Sequence, residues 1–369
     1  MKSFRRRIHD LYANLRSAVH LYPKIESAPA NSKDVTVIPL IEAGSEEVSC
    51  ELEARLNNQT AMSTLIRWPT VNLYRVQNAT IVGDQANVFT SDGRWLRVCP
   101  SLDYLPLKKV RQPIYLGANR LSMPLFHLSG RDHENHGHFL FQHMPRWLAA
   151  QKKMQELNPD FKILVAKGHL KWQSRYLTRT GGAPDQMIEC GDGTTRCNDL
   201  YYIPQPRGKH DCLSRPQDYR AMNEYFHRPQ AKTGPALFLS RKDAPNRYLL
   251  NEDEAVAEVE RVFGSCRSIQ LSKTPLDEQI ALISAAPVVV GPLGQALATA
   301  LFARNSVYIN LDGGHGPDSW GDAFRDIANI CGNQGLSLYS KTPRTADGSF
   351  LFPREDLHAR LENVKRLIQ

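Results

Sequence analysis

Two short stretches concentrate the side chains able to do chemistry. The first, RDHENHGHFLFQHMPRW at 131–147, holds four histidines (His133, His136, His138 and His143), two acids (Asp132 and Glu134) and Arg146. A helix beginning near His136 puts Leu140, Met144, Trp147 and Leu148 on one apolar stripe. At about 100° per residue, His138, Gln142 and Arg146 then share the opposite, polar face. If that face lines a cleft, His138 or Glu134 can serve as a general base toward a hydroxyl, with Gln142 and Arg146 beside it on the acceptor side. Pro145 should kink the helix or mark its restart. Two other readings stay open. The histidines could hold a metal for a hydrolase, although HExxH and the other usual zinc spacings are absent, or they could form an ordinary solvated face.

The second stretch, LSRKDAPNRYLLNEDEAV at 239–256, joins a strand-like run (236–240) to a helix signal, with Arg241, Lys242 and Arg247 in the connection. Cations at a strand end suit a phosphorylated ligand, because strand ends in open parallel sheets form the usual binding crevice. Asn251 followed by Glu254 reads as a helix cap with its reciprocal carboxylate. A solvated basic turn is the plainer alternative. Downstream, Gly291-Pro292-Leu293-Gly294 separates the apolar run PVVV from a helix signal at 295–303, so a helix start with free N–H donors can face an anion there.

The elements that must position these residues differ between the two halves. Residues 34–120 read as short strands (35–38, 71–76, 80–82, 96–98) broken at Gln77-Asn78, Gly83-Asp84 and Ser91-Asp92-Gly93. Helical periodicity begins at Glu134, succeeded by a strand at 162–165 and a helix at 170–179. Pro, Gly, Lys and Arg with little apolar pattern mark 204–215 as the domain boundary. Beyond it, strands 236–240, 267–271, 288–290 and 307–311 alternate with helices 252–263, 275–285 and 295–303, which implies a parallel doubly wound sheet. A closing helix is expected over 354–368.

Composition bounds the function class. The 369 residues suffice for two domains, and the net charge of +8 favours anionic partners. Nucleic acid is not favoured, since no reader motif or basic–aromatic interleaving is present. The seven scattered cysteines read as free thiols of a reducing compartment; Cys190, Cys197 and Cys212 fit no standard zinc spacing. No apolar run reaches the ~18–20 residues of a membrane span. Residues 1–24 are basic and amphipathic, with Phe4, Ile8, Leu11, Leu15 and Val19 on one face, so they can pack on their own domain or lie on an anionic membrane surface.

Taken in order, HGHFLFQHMPRW, SRKDAPNRYLLNEDE and VVVGPLGQALATALF resemble glycosyltransferase family 61, the group related to capsular-polysaccharide biosynthesis transferases. The resemblance covers about 130–312. It departs from the family at Leu293, where His is usual, at Gln295, where a small residue is common, and at Gln142, where Asp is frequent. The resemblance implies an α/β, GT-B-like architecture: two Rossmann-like domains facing a cleft, the N-terminal one with an added β-rich layer. The domains would be 1–205 for the acceptor side and 216–345 for the nucleotide sugar, with 353–369 closing the chain. It also implies an inverting transfer from a nucleotide sugar to a glycan acceptor in the cytoplasm, at or near a membrane, with no obligatory metal or other cofactor. His138 or Glu134 would be catalytic. Ser240, Arg241, Lys242, Arg247, Gly291, Gly294 and Gln295 would hold the donor phosphates. The departures also motivate a non-catalytic binder of acidic polymer.

Overall fold

The computed structural model describes residues 25–26, 33–83, 87–96, 118–130, 133–165, 167–191, 193–204, 214–244, 246–314 and 320–369. The basic stretch 1–24, Asp132, part of the expected strand 96–98 and most of the 204–215 boundary lie outside them. The chain divides into two compact units, 1–44 with 69–208 and 45–68 with 209–369. Both are mixed α/β and contain parallel sheet.

The first unit is built on one sheet. Its antiparallel part centres on Val71–Val82, paired with Val35–Ile41 and Asn87–Phe89 along one edge and with Thr194–Tyr202 along the other. The break expected at Gln77-Asn78 is instead a kink within a single strand. Asn78 takes a left-handed φ of 51°, which Asn tolerates, and the ladder keeps its register around it, Cys197 opposite Ala79 and Asp199 opposite Gln77. The parallel part runs Thr194–Tyr202, Leu125–His127, Lys162–Val165, Met187–Glu189. The chain goes outward from Leu125–His127 through two strand–helix steps, then returns to place Thr194–Tyr202 on the other side of its starting strand. The order reverses between those two strands, and ligand crevices form at such switch points, outside the strands' carboxyl ends.

The second unit has five parallel strands in the order Cys266–Ile269, Ala236–Leu239, Val288–Pro292, Val307–Asp312, Gln334–Tyr339. Ala236–Leu239, Val288–Pro292 and Val307–Asp312 are buried throughout, as strands covered on both faces must be, which explains their unbroken apolar runs. The switch point lies between Ala236–Leu239 and Val288–Pro292. Helices Glu252–Phe263 and Arg354–Ile368 fall where the periodicity put them, and they share one core through Val259, Val262, Leu357, Leu361 and Val364. Helix Trp320–Ile330 and strand Gln334–Tyr339 extend the alternation beyond the last strand expected from the sequence.

One boundary is corrected. Residues 45–68, assigned by sequence to the first domain, belong to the second unit. They form strands Gly44–Ser49 and Ser63–Trp68 around helix Glu51–Leu56, whose Leu52 enters the second unit's core. Arg325 fastens them: its buried guanidinium lies 3.0 Å from Glu53, 2.9 Å from Asp326 and 3.3 Å from Asp322, and it donates to Thr64. Burial pushes the Glu53 and Asp326 carboxyls up and Arg325 opposes that shift. Such partners lie some 260–270 positions apart in the chain, beyond the reach of any local pattern.

Candidate functional site

At the second unit's switch point, Ser240 and Arg241 leave the carboxyl end of Ala236–Leu239, and Leu293 and Gly294 leave that of Val288–Pro292. Glu252, the first residue of its helix and itself buried, ties down the first connection. Its Oε1 accepts the Ser240 hydroxyl at 2.6 Å and its Oε2 accepts the Arg241 backbone N–H at 3.0 Å. The Ser240 hydroxyl is therefore committed to shaping the loop. Lys242 is committed too: its ammonium pairs with Asp253 at 2.5 Å on the exposed side of the helix start.

Arg241 is different. Its side chain is buried, with the residue 7% exposed, yet no carboxylate lies within ion-pair distance among the described residues. Nη2 donates to the Asn246 carbonyl at 3.2 Å, and the buried Nε has no partner. Burial, with the charge of Arg247 as the next cause, lowers its pKa. Asp243 and Glu252 offset part of this, but two guanidiniums without an ion-pair partner among the described residues, one of them buried, are costly to hold together and favour an anion beside them. Arg247 adopts φ 57°, a strained conformation for a long side chain, and its stem rests against Gly348.

The two glycines have separate tasks. Gly291 lies inside the strand opposite Asn310 rather than in a loop, and a Cβ there would meet the Leu239 Cβ at 3.0 Å and its carbonyl oxygen at 3.3 Å. Gly294 accommodates Arg241: a Cβ would fall 1.7 Å from Nη1 and 2.6 Å from Cζ. The expected α-helix after it is a 3₁₀-helix, Gln295–Phe302, begun by Leu297 N–H donating to the Gly294 carbonyl. Its buried C-terminal carbonyls are met by the side-chain amides of Asn223 and Asn333. The start of this helix and the Arg241 guanidinium thus share one corner. Gln295 is half-buried beside them.

In the first unit the histidine-rich stretch comes after the carboxyl end of Leu125–His127, so it too occupies a switch point. Asn135 caps the helix by accepting from His138 N–H at 3.1 Å. The helix then widens into a π segment, Phe139–His143, before resuming as Met144–Leu157 with Pro145 in its first turn. The widening accommodates a proline that supplies no N–H, and π segments recur at functional sites. His138 Nδ1 lies 3.0 Å from Gln142 Oε1. An amide oxygen only accepts, so Nδ1 is the donor, and Nε2 is the ring atom on which a proton can be taken up.

Arg146 does not line an acceptor cleft. It is 3% exposed and donates to the carbonyls of Ile203 (2.6 Å), His127 (3.1 Å) and Ser129 (3.3 Å), binding together the ends of the two strands that flank the switch point. A regular helical wheel misplaces Arg146 because the π segment rotates every turn beyond it. The four imidazoles also diverge. His133 Nδ1 lies 2.6 Å from the Gly130 carbonyl, His136 Nε2 lies 2.5 Å from the Tyr176 hydroxyl, and His143 Nδ1 lies 2.9 Å from the Leu128 carbonyl. Among the described residues, no three His, Cys, Asp or Glu side chains come together to hold a metal.

Residues 136–309 match the family described as Glycosyltransferase 61. The chain carries a glycosyltransferase 61 domain. No curated protein matches the chain. The match spans both switch points, taking in the His138 helix, the Arg241 loop and Gly294. Two of this glycosyltransferase's departures from the resemblance acquire a physical setting. Leu293 is buried, with its N–H donating to the Leu311 carbonyl, so it seals the sheet edge. Gln142 gives His138 a neutral partner where a carboxylate is frequent. Asn251 stands at the expected cap position but spends its amide on the Phe352 backbone and on Glu254, latching the closing helix to this domain. The tie to Phe352, a hundred positions away, is invisible to a local capping pattern.

Proposed function

We propose that this glycosyltransferase moves a sugar from a nucleotide-sugar donor to a glycan acceptor with inversion, with a GT-B-type division of labour. The second unit holds the donor and the first supplies the base. The observation that carries the reading is Arg241: a buried guanidinium with no carboxylate in ion-pair contact among the described residues, set against a glycine and a helix start at the switch point of a parallel sheet. Arg241 and Arg247 balance the charge that builds on the departing diphosphate, the electrostatic task a metal performs elsewhere, so transfer proceeds without an added metal. His138 Nε2 accepts the acceptor hydroxyl's proton. The freed oxygen bonds to the anomeric carbon from the face opposite the diphosphate, whose C–O bond breaks with the electron pair leaving on phosphate. His138 is preferred to Glu134 because Gln142 fixes its tautomer, whereas the Glu134 side chain is 58% exposed and turned toward His133. Gln295 and the amides beside Gly294 complete the phosphate contacts.

Polysaccharide assembly in the cytoplasm, at the inner face of a membrane, is the setting this reading favours. Among the described residues no helix is long and apolar enough to cross a membrane. The reading is tested by thermal shift and calorimetry with nucleoside diphosphates, since a ligand that binds only the native state raises apparent stability. Binding by the parent protein, lost about tenfold or more in Arg241→Ala, supports it. Absence of a shift with every common nucleoside diphosphate, or unchanged affinity in Arg241→Ala, refutes it.

A further inference from the structure

The carboxyl edge of the first unit's parallel strands carries a second group of side chains for which neither the base nor the donor site has a use. His133 comes after strand Leu125–His127, and His169 precedes helix Leu170–Arg179, which succeeds strand Lys162–Val165. Trp172 stands in that helix's first turn, with Tyr176 one turn on. The rings form one cluster. His133 and His169 meet edge-on at 5.3 Å, and Trp172 lies 6.1 Å from His169, 5.9 Å from His136 and 5.0 Å from Phe139. Every ring contact of Trp172 among the described residues is tilted or perpendicular, so none of those rings stacks parallel on the indole. Trp172, His136 and His169 are half-buried, and Glu134 at the rim is exposed.

The polar atoms of this cluster are oriented. Trp172 Nε1–H donates to His169 Nδ1 at 3.1 Å, which fixes the indole and leaves the His169 proton on Nε2. His136 Nε2 and the Tyr176 hydroxyl are hydrogen-bonded at 2.5 Å. Burial holds His136 down at about 4, and burial together with His133 lowers His169. Both rings are neutral at pH 7. His136, His169 and Trp172 thus present an aromatic surface edged by an imidazole N–H donor and a carboxylate acceptor, unlike the cationic corner around Arg241. A pyranose ring fits both features: its C–H face packs on an indole, and its hydroxyls both donate and accept.

We infer that Trp172, with His169 and Glu134, forms a saccharide subsite that stacks one ring of the glycan acceptor. This inference deepens the proposed function and rests on it for the identity of the ligand as acceptor, but its test does not depend on the donor. Saturation-transfer NMR and tryptophan fluorescence would be recorded on the full chain with cellotriose, xylotriose and lactose as probes. At least one probe should bind the parent protein, with saturation strongest on the C–H protons of one ring face. Trp172→Leu should weaken that binding about tenfold or more, Trp172→Phe should largely restore it, and His169→Gln should weaken it less than Trp172→Leu. Nucleoside diphosphate affinity should be unchanged in all three. Failure of every probe to bind at about 20 mM overturns the subsite, as does Trp172→Leu binding within about twofold of the parent. Saccharide binding without any nucleotide binding would uphold the subsite and refute the donor reading, so the two failures are distinguishable.

Discussion

Gly294→Ala isolates the Arg241 corner. The new methyl would sit 1.7 Å from Nη1, 2.6 Å from Cζ and 3.2 Å from Cδ of Arg241, well inside contact distance, so the guanidinium must leave. The backbone exacts nothing, because Gly294 has φ 171°, an extended conformation open to any residue. What moves is the far end of a flexible side chain, so the loss of folding stability should stay at about 1 kcal/mol or less. The loss in binding should be larger. A charge-assisted hydrogen bond is worth about 1.5–3 kcal/mol, which corresponds to a roughly 10–150-fold weaker affinity for a nucleoside diphosphate. Calorimetry gives the affinity and urea unfolding gives the stability. Gly291→Ala is the contrasting control. Its methyl meets Leu239 backbone and Cβ, which cannot swing aside, so the cost appears as about 1–3 kcal/mol of stability. In a double-mutant cycle, Gly294→Ala should add little to Arg241→Ala, since both remove the same contact. Nucleoside diphosphate affinity in Gly294→Ala within twofold of the parent would refute the reasoning.

Three further outcomes are expected elsewhere in the molecule. Arg325→Ala strands Glu53, Asp322 and Asp326 without their buried cation, and should cost about 3–5 kcal/mol in urea unfolding, loosening 45–68 first in hydrogen exchange; an unchanged midpoint would dismiss the network as the fastening. His136 is held down at about 4 from 6.5 by burial, so below pH 6.5 the unfolded chain takes up a proton that the folded one refuses. Thermal stability should therefore fall as pH drops from 6.5 toward 4, and His136→Phe should flatten that slope. Gln142→Glu gives His138 a carboxylate partner that favours the imidazolium, so the acid limb of the transfer pH–rate profile should move up by roughly one unit; an unmoved limb removes His138 as the base.

What could be read from the sequence was local. Helix Glu252–Phe263 announces itself by three acids in its first turn, an apolar face and a terminal glycine, and Gly264 takes the left-handed conformation that ends it. Strand Ala236–Leu239 and the corner cations were equally visible. What escaped depends on partners distant in the chain or on helix geometry that no periodicity encodes. The allegiance of 45–68 rests on Arg325. The fates of Lys242 and Arg146 were set by Asp253 and by strand-end carbonyls, so identical charge types in one motif took different roles. The aromatic cluster was missed because its rings come from two segments, 133–139 and 169–176, brought together by the parallel pairing of the strands before them.

Comparing the two switch points sharpens the division of labour. Parallel sheets concentrate connections at their carboxyl edges, so each unit offers a crevice of similar geometry, and side-chain chemistry must decide what enters. In the second unit the crevice holds arginines with no carboxylate partner among the described residues and a glycine kept bare for one of them. An anion is the ligand that relieves that arrangement. In the first unit the sole buried arginine among the described residues of the motif is bound by backbone carbonyls, and burial lowers the pKa of His136 and His169. The aromatic surface with a donor and an acceptor at its rim suits a hydroxyl-bearing ring better than a diphosphate. Exchanging the two roles would require the charge in both crevices to be rebuilt. The charge pattern thus favours the donor at Arg241 and the acceptor at His138 independently of the family match.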